Sequence, residues 1–191
     1  MAASSFPRIT EAEYLRLERA AKEKSEFVGG GIFAMAGGTL LHNLLAANWS
    51  RELGLKLRGR NCLVFTSDAR VRTQRTGSYV YPDVSVVCGQ PQVIQNNSDI
   101  LTSPNVVIEV LSPATADYDR GRKFDLYREI ESLQEYILVH TDSAHVEHFT
   151  RQAGNWIFRE YRGLESAVHI ASIGCTILLA DVYPGGFEPT G

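Results

Sequence analysis

Three residues in this chain have the types and spacing to bind a cation and act on a phosphate. Asp83 directly follows Pro82, Glu109 sits in the middle of the apolar run PNVVIEVLSP, and Lys123 follows on the next predicted helix. Taking an unpaired carboxylate out of water is costly, so a carboxylate inside a strand core is paired, protonated or bound to a metal. Asp83 and Glu109 lie 26 residues apart. If their strands are neighbours, the two carboxylates converge at one end of a sheet, where they repel unless a cation lies between them. A hard divalent cation such as Mg²⁺ takes oxygen ligands, and one or two carboxylates with waters and a substrate phosphate suffice. Each residue alone has a plainer explanation. Asp83 could be a turn residue, Lys123 could pair with Asp119 one helical turn back for about 0.2–0.5 kcal/mol, and Glu109 could form a salt bridge with an arginine. The combination is more specific than any member.

The elements that must position these residues follow from periodicity and punctuation. Thr10 followed by Glu13 suits a capping box opening a helix to about Ala21. The stretch KSEFVGGGIFAMAGG predicts a hairpin around a Gly-rich turn and brings Glu26 toward the next element. Leu41, Leu44, Leu45, Trp49 and Leu53 predict an amphipathic helix over 40–53, ended by Gly54. Strands follow at CLVFT, ARVRT, YVYPDVSVVC and PNVVIEVL, with the polar segment 89–103 between the last two predicted as a loop. Thr115 can cap a helix over 115–130 with Phe124, Tyr127 and Ile130 on its apolar stripe. EYILVH, AHVEHFT, WIFREYR and TILLA complete the strands. Continuous apolar runs imply a central sheet covered on both faces. The order NVVIEVL, helix, EYILV implies a strand–helix–strand crossover with parallel strands. The fold class is α/β with a mixed sheet, expected as a single domain over 1–191.

Composition is that of an ordinary globular protein, with 44% hydrophobic and 21% charged residues and a formal net charge of −3. Nothing at whole-molecule level marks a nucleic-acid or membrane binder. Cys62, Cys88 and Cys175 are odd in number and lack metal spacing, so they are expected as reduced core residues of a cytoplasmic protein. The start MAASSFPRIT lacks a signal-peptide pattern, and no apolar run reaches the roughly 18 residues of a membrane span.

The runs YPDVSVVC and PNVVIEVLSPATADYDRGRKFDLYREIESLQEYILV, with SEFVGGGIFAMAGG, His42 and VFTSDARVR upstream, resemble the Uma-two family of bacterial restriction-endonuclease-like nucleases. The resemblance covers most of the chain. It implies a restriction-endonuclease-like mixed central sheet flanked by helices, with an N-terminal helix and hairpin. It also implies the PD-(D/E)XK signature: Pro-Asp, a spacer, an acidic residue, one residue, and lysine. Pro82-Asp83 and Glu109 fill the first positions, but Leu111 stands where the lysine belongs, and Lys123 is the replacement on the following helix. By the same resemblance Asp83, Glu109 and the Val110 carbonyl would hold Mg²⁺, with Mn²⁺ as the alternative. Glu26 would add a metal contact, His42 would support the ligands, and Tyr127 would orient Lys123. Outside the family pattern, His140, His145 and His148 are assigned to solvent or core.

DNA is the expected partner. Segment 51–75 carries seven basic residues against two acidic ones. Of these Arg58, Arg60, Arg70, Arg72 and Arg75, joined by Arg120 and Arg122 beside Lys123, are the expected phosphate contacts. A homodimer is implied by likeness to nucleases that cut both strands. The first reading is therefore a Mg²⁺-dependent endonuclease. The alternatives are an inactive DNA-binding or regulatory module that keeps the fold, and an interaction protein in which Glu109 is merely salt-bridged.

Overall fold

The computed structural model describes residues 8–35, 37–94 and 97–185. The first seven residues of the expected leaderless start, and Gln95 and Asn96 of the expected loop, lie outside the described residues. Helix α1 (Glu11–Ala20) leads into the hairpin β1 (Ser25–Val28) and β2 (Gly31–Ala34), then helix α2 (Leu40–Lys56). Seven strands follow: β3 (Cys62–Thr66), β4 (Arg70–Arg72), β5 (Tyr79–Val80), β6 (Val84–Cys88), β7 (Val93–Ile94), β8 (Asn97–Leu101) and β9 (Val106–Val110). A helical stretch comes next, made of α3 (Ala116–Tyr118), a π turn (Asp119–Lys123) and α4 (Phe124–Arg128). Strands β10 (Glu135–Val139), β11 (His145–Gln152), β12 (Asn155–Arg162), β13 (Ala167–Ile170) and β14 (Cys175–Leu178), with short helix α5 (Leu179–Val182), complete the chain.

The expected central sheet is present, in the order β12-β11-β10-β9-β6-β3, and its one parallel pair is β9 with β10. It is not alone. A second six-stranded sheet runs β2-β1-β5-β4-β8-β7. Proline cannot donate to a ladder and is confined to strand ends and edges. Pro82 accordingly splits the run YVYPDVSVVC: β5 pairs into the second sheet with β1 and β4, and β6 into the central one with β3 and β9. Asp83 stands at that crossing.

Alternation along β9 sorts its side chains between two cores. Val106, Ile108 and Val110 join Leu45, Trp49 and Leu53 of α2 on one face of the central sheet. Val107 and Leu111 join Phe124, Tyr127 and Ile130 on the other. Glu109, in phase with the second set, therefore faces the helical stretch that carries Lys123. Helix α2 passes through Gly54 and ends at Leu57. Leu53 and Leu57 are both buried, and their packing outweighs the roughly 1 kcal/mol that an interior glycine costs.

Several expectations change here. Segment 89–103 is not a loop: β8 pairs parallel to β4 and antiparallel to β7, so tertiary pairing orders residues of low strand propensity. Thr115 makes no side-chain cap; its own N–H donates to Ser112 Oγ instead, at 3.2 Å. Cys62 and Cys88 are not reduced. Pairing of β3 with β6 sets them directly opposite, with Cα atoms 4.0 Å apart, and they form a disulfide. Cys175 is free and buried. Among the described residues no helix is long and apolar enough to cross a membrane.

Across β10 and β11, His148 Nε2 lies 2.5 Å from Glu135 Oε2 in a fully buried pair, and Glu135 Oε1 accepts from the Ser172 N–H at 2.6 Å. Burial alone would raise the Glu135 carboxyl, but these hydrogen bonds hold it below the ordinary carboxylate range. Its stabilising contribution is thus complete above that range and is lost as pH falls through the depressed folded value. We expect Glu135→Ala to cost about 3–5 kcal/mol in urea unfolding at neutral pH, and the deficit to shrink in acid. A loss below about 1 kcal/mol would contradict this weight.

Candidate active site

A cavity of about 590 Å³ opens where the two sheets, α2 and the helical stretch meet, and Glu26, His42, Asp83, Glu109, Asp119 and Lys123 all line it. Lys123 is at its centre, buried, with Nζ 2.9 Å from Glu109 Oε1, 3.3 Å from Glu26 Oε1 and 3.6 Å from Asp119 Oδ1. It also donates to the Tyr81 carbonyl at 3.4 Å. The π turn Asp119–Lys123 buries both its first and last residues, while Arg122 within it stays exposed. π turns of this kind recur at functional sites. Leu111 fills the core beside Val28 and Phe124, so the position expected to hold lysine is apolar and the ammonium arrives from the helix.

The carboxylates are individually held. Asp83 Oδ2 accepts from the Val110 N–H at 2.8 Å and lies 3.2 Å from His42 Nε2. Val110 thus contributes its N–H to the neighbouring carboxylate. His42 sits in the first turn of α2, where its N–H donates to Thr39 Oγ1. Asp83 raises the imidazole above its ordinary value against the effect of burial. A Cβ at Gly38 would stand 2.6 Å from His42 Nδ1, which explains a glycine there. Glu109 Oε1 accepts from Tyr127 Oη at 2.8 Å; Tyr127 orients the carboxylate, not Lys123 as expected. Glu26 accepts from Tyr118 Oη at 2.8 Å and from the Tyr81 N–H at 3.3 Å.

Four carboxylates share this cavity with one ammonium. Burial raises the Glu109 carboxyl well above its usual range, and neighbouring Asp83 and Asp119 add to the shift. Burial alone would lower Lys123, but Glu109, Glu26, Asp119 and Asp83 together drive its ammonium well above the ordinary lysine value. Excess buried negative charge with oxygen donors fits a hard divalent cation.

A family model described as "Putative restriction endonuclease", Uma2, matches residues 11–178. The chain belongs to the Uma2 family. Two proteins of Synechocystis sp. (strain ATCC 27184 / PCC 6803 / Kazusa), both described as uncharacterized, are similar over most of their length. One, sll1609, is 38% identical over 85% of this chain and 93% of its own; the other, slr1290, is 34% identical over 94% of each. A crystal structure of a putative nuclease belonging to DUF820 from Anabaena variabilis superposes with a TM-score of 0.76 at 19% identity. It covers 92% of this chain and 97% of that one, so the restriction-endonuclease-like fold is shared.

Within this Uma2 chain the expected arginines divide. Arg70 is buried, donating to Tyr81 Oη at 2.7 Å, and Arg72 forks onto Glu11 with both distances 2.9 Å. Arg60 binds the Ile173 and Gly174 carbonyls, and Arg120 binds Glu147. These four serve the fold. Arg58 and Arg75 are exposed but line no part of the cavity, and Arg122 lines its rim. His148 is in the core, as described. His140, His145 and Glu147 bring ligand atoms within 4.8 Å of one another. However, Arg120 donates to both Glu147 oxygens, and His140 Nε2 is 2.8 Å from Glu147 Oε1. A guanidinium already neutralises that carboxylate, which disfavours a second cation.

Asp119 and Tyr118 are the site-lining residues that sequence reasoning undervalued. The signal was the four-residue spacing from Asp119 to Lys123, which fits a surface pair equally well. Removing the ammonium alone should strand buried carboxylates. We expect Lys123→Met to cost about 3–5 kcal/mol in urea unfolding, and Lys123→Met with Glu109→Gln to recover a substantial part. Simple additivity of the two substitutions would contradict the coupling.

Proposed function

We propose that the chain is a divalent-metal-dependent endonuclease that hydrolyses DNA phosphodiester bonds. The observation that carries this reading is the 2.9 Å contact of Lys123 Nζ with Glu109 in the cavity that Asp83 also lines. It supplies, from the helix, the ammonium that Leu111 cannot. Asp83 and Glu109, with the Val110 carbonyl and Glu26, would hold Mg²⁺ or Mn²⁺. The cation supplies Lewis acidity toward the phosphate and acidifies water.

The chain's own residues have separable tasks. His42 and the Val110 N–H fix Asp83, and Tyr127 fixes Glu109, so the ligands need little reorganisation. Lys123, with its pKa driven up by four carboxylates, stays an ammonium at neutral pH. It therefore orients the attacking water and offsets charge growing on the phosphate, and it is a poor proton acceptor. As the water oxygen bonds to phosphorus, the opposite P–O bond breaks and the departing oxygen takes up a proton.

The test is cleavage of supercoiled plasmid and of circular single-stranded DNA with Mg²⁺, Mn²⁺ or EDTA. We expect metal-dependent nicking that falls by about 10²-fold or more in Asp83→Ala, Glu109→Ala and Lys123→Ala, with folding checked by circular dichroism. Undiminished cleavage in all three folded variants would place the chemistry elsewhere. Binding without any cleavage would favour the inactive DNA-binding module.

A further inference from the structure

The lip of the cavity carries a feature that phosphate hydrolysis alone does not need. In the β1–β2 hairpin Phe33 lies directly opposite Glu26, so the two side chains share one face. Glu26 is 5% exposed and turned into the site, whereas Phe33 is 48% exposed at the rim. The guanidinium of Arg122, the residue before Lys123, lies 5.9 Å from the Phe33 ring centroid, and both residues line the cavity. An open aromatic ring beside an exposed guanidinium is the pairing on which nucleobases stack while the cation meets the backbone.

Burial at the centre constrains what can reach it. Glu109 is 2% and Lys123 5% exposed, so a phosphate must enter the cavity to meet them. Duplex DNA is stiff over about 150 bp, and presenting a phosphate inside a recess requires unstacking or flipping at a cost of a few kcal/mol. A broad cationic face could offset that cost, but Arg60, Arg70, Arg72 and Arg120 are engaged within the fold. A single strand meets neither obstacle.

We propose that the cavity takes single-stranded DNA, with one base stacked on Phe33 and the adjoining phosphate led past Arg122 toward Lys123. This rests on the nuclease reading for its choice of ligand, but binding tests it separately from cleavage. A site that admits one strand at a time also removes the need for a homodimer to cut both.

The experiment is fluorescence anisotropy of a short labelled oligonucleotide, single-stranded or annealed to its complement, with the full chain in EDTA so that no cleavage intervenes. The single strand is expected to bind at least about tenfold tighter than the duplex. Phe33→Ala should weaken single-strand binding by about tenfold or more, in the range of one lost base stack, and Arg122→Ala should lower the salt slope by about one. Phe33→Trp should retain binding, and its added indole emission should be quenched by the single strand, a signal that a structural role for Phe33 would not give. Equal or tighter duplex binding, no binding to either form, an unaffected Phe33→Ala, or an unquenched Phe33→Trp would each overturn the proposal. Failure of the nuclease reading has a different signature: this binding pattern intact, with no cleavage when metal is restored.

Discussion

One buried ammonium organises this molecule. Lys123 Nζ meets carboxylates from three separate parts of the chain: Glu26 on β1, Glu109 on β9, and Asp119 at the start of its own π turn. Each of these groups lost its water on folding, and that loss is tolerable only while charge is matched and hydrogen bonds are complete. Tyr127, Tyr118 and the Tyr81 backbone complete them. The match is nonetheless unequal, since Asp83 brings a fourth carboxylate to the same cavity. A cluster short of positive charge is poised to accept a cation, and its geometry is maintained by packing on both sides.

The packing explains why the cluster forms at this place. Pro82 ends one strand's membership in the second sheet, and the chain enters the central sheet one residue after Asp83. The side-chain period of two along β9 sends Val106, Ile108 and Val110 to the core under α2 and leaves Glu109 facing the opposite layer. The β1–β2 hairpin belongs to the second sheet, so Glu26 arrives from the far side of the cavity. The acidic groups thus come from both sheets, and the lysine comes from the helical stretch between β9 and β10.

Much of this was legible in the sequence because it is written in local patterns. The β9–helix–β10 crossover, the capped first helix and the stripe of α2 follow from periodicity and punctuation. Asp83, Glu109 and Lys123 were singled out by residue type and context. What could not be read depends on register and tertiary pairing. The division of the strands into two sheets, the opposition of Cys62 and Cys88, and the ordering of β8 need to know which strands are neighbours. The basic run 51–75 misled for the same reason: sequence shows its charge, but only the fold shows Arg70 and Arg72 turned onto Tyr81 and Glu11. Tyr127 was expected beside Lys123 and instead holds Glu109, its partner.

The central claim is that the carboxylates around Lys123 form a divalent-cation site. The most direct measurement is a crystal structure of the chain with Mn²⁺, using anomalous scattering to place the ion. The account predicts a peak in the cavity within coordination distance of both Asp83 and Glu109, absent in Asp83→Asn. A peak confined to His140, His145 and Glu147, or none at saturating Mn²⁺, would contradict it.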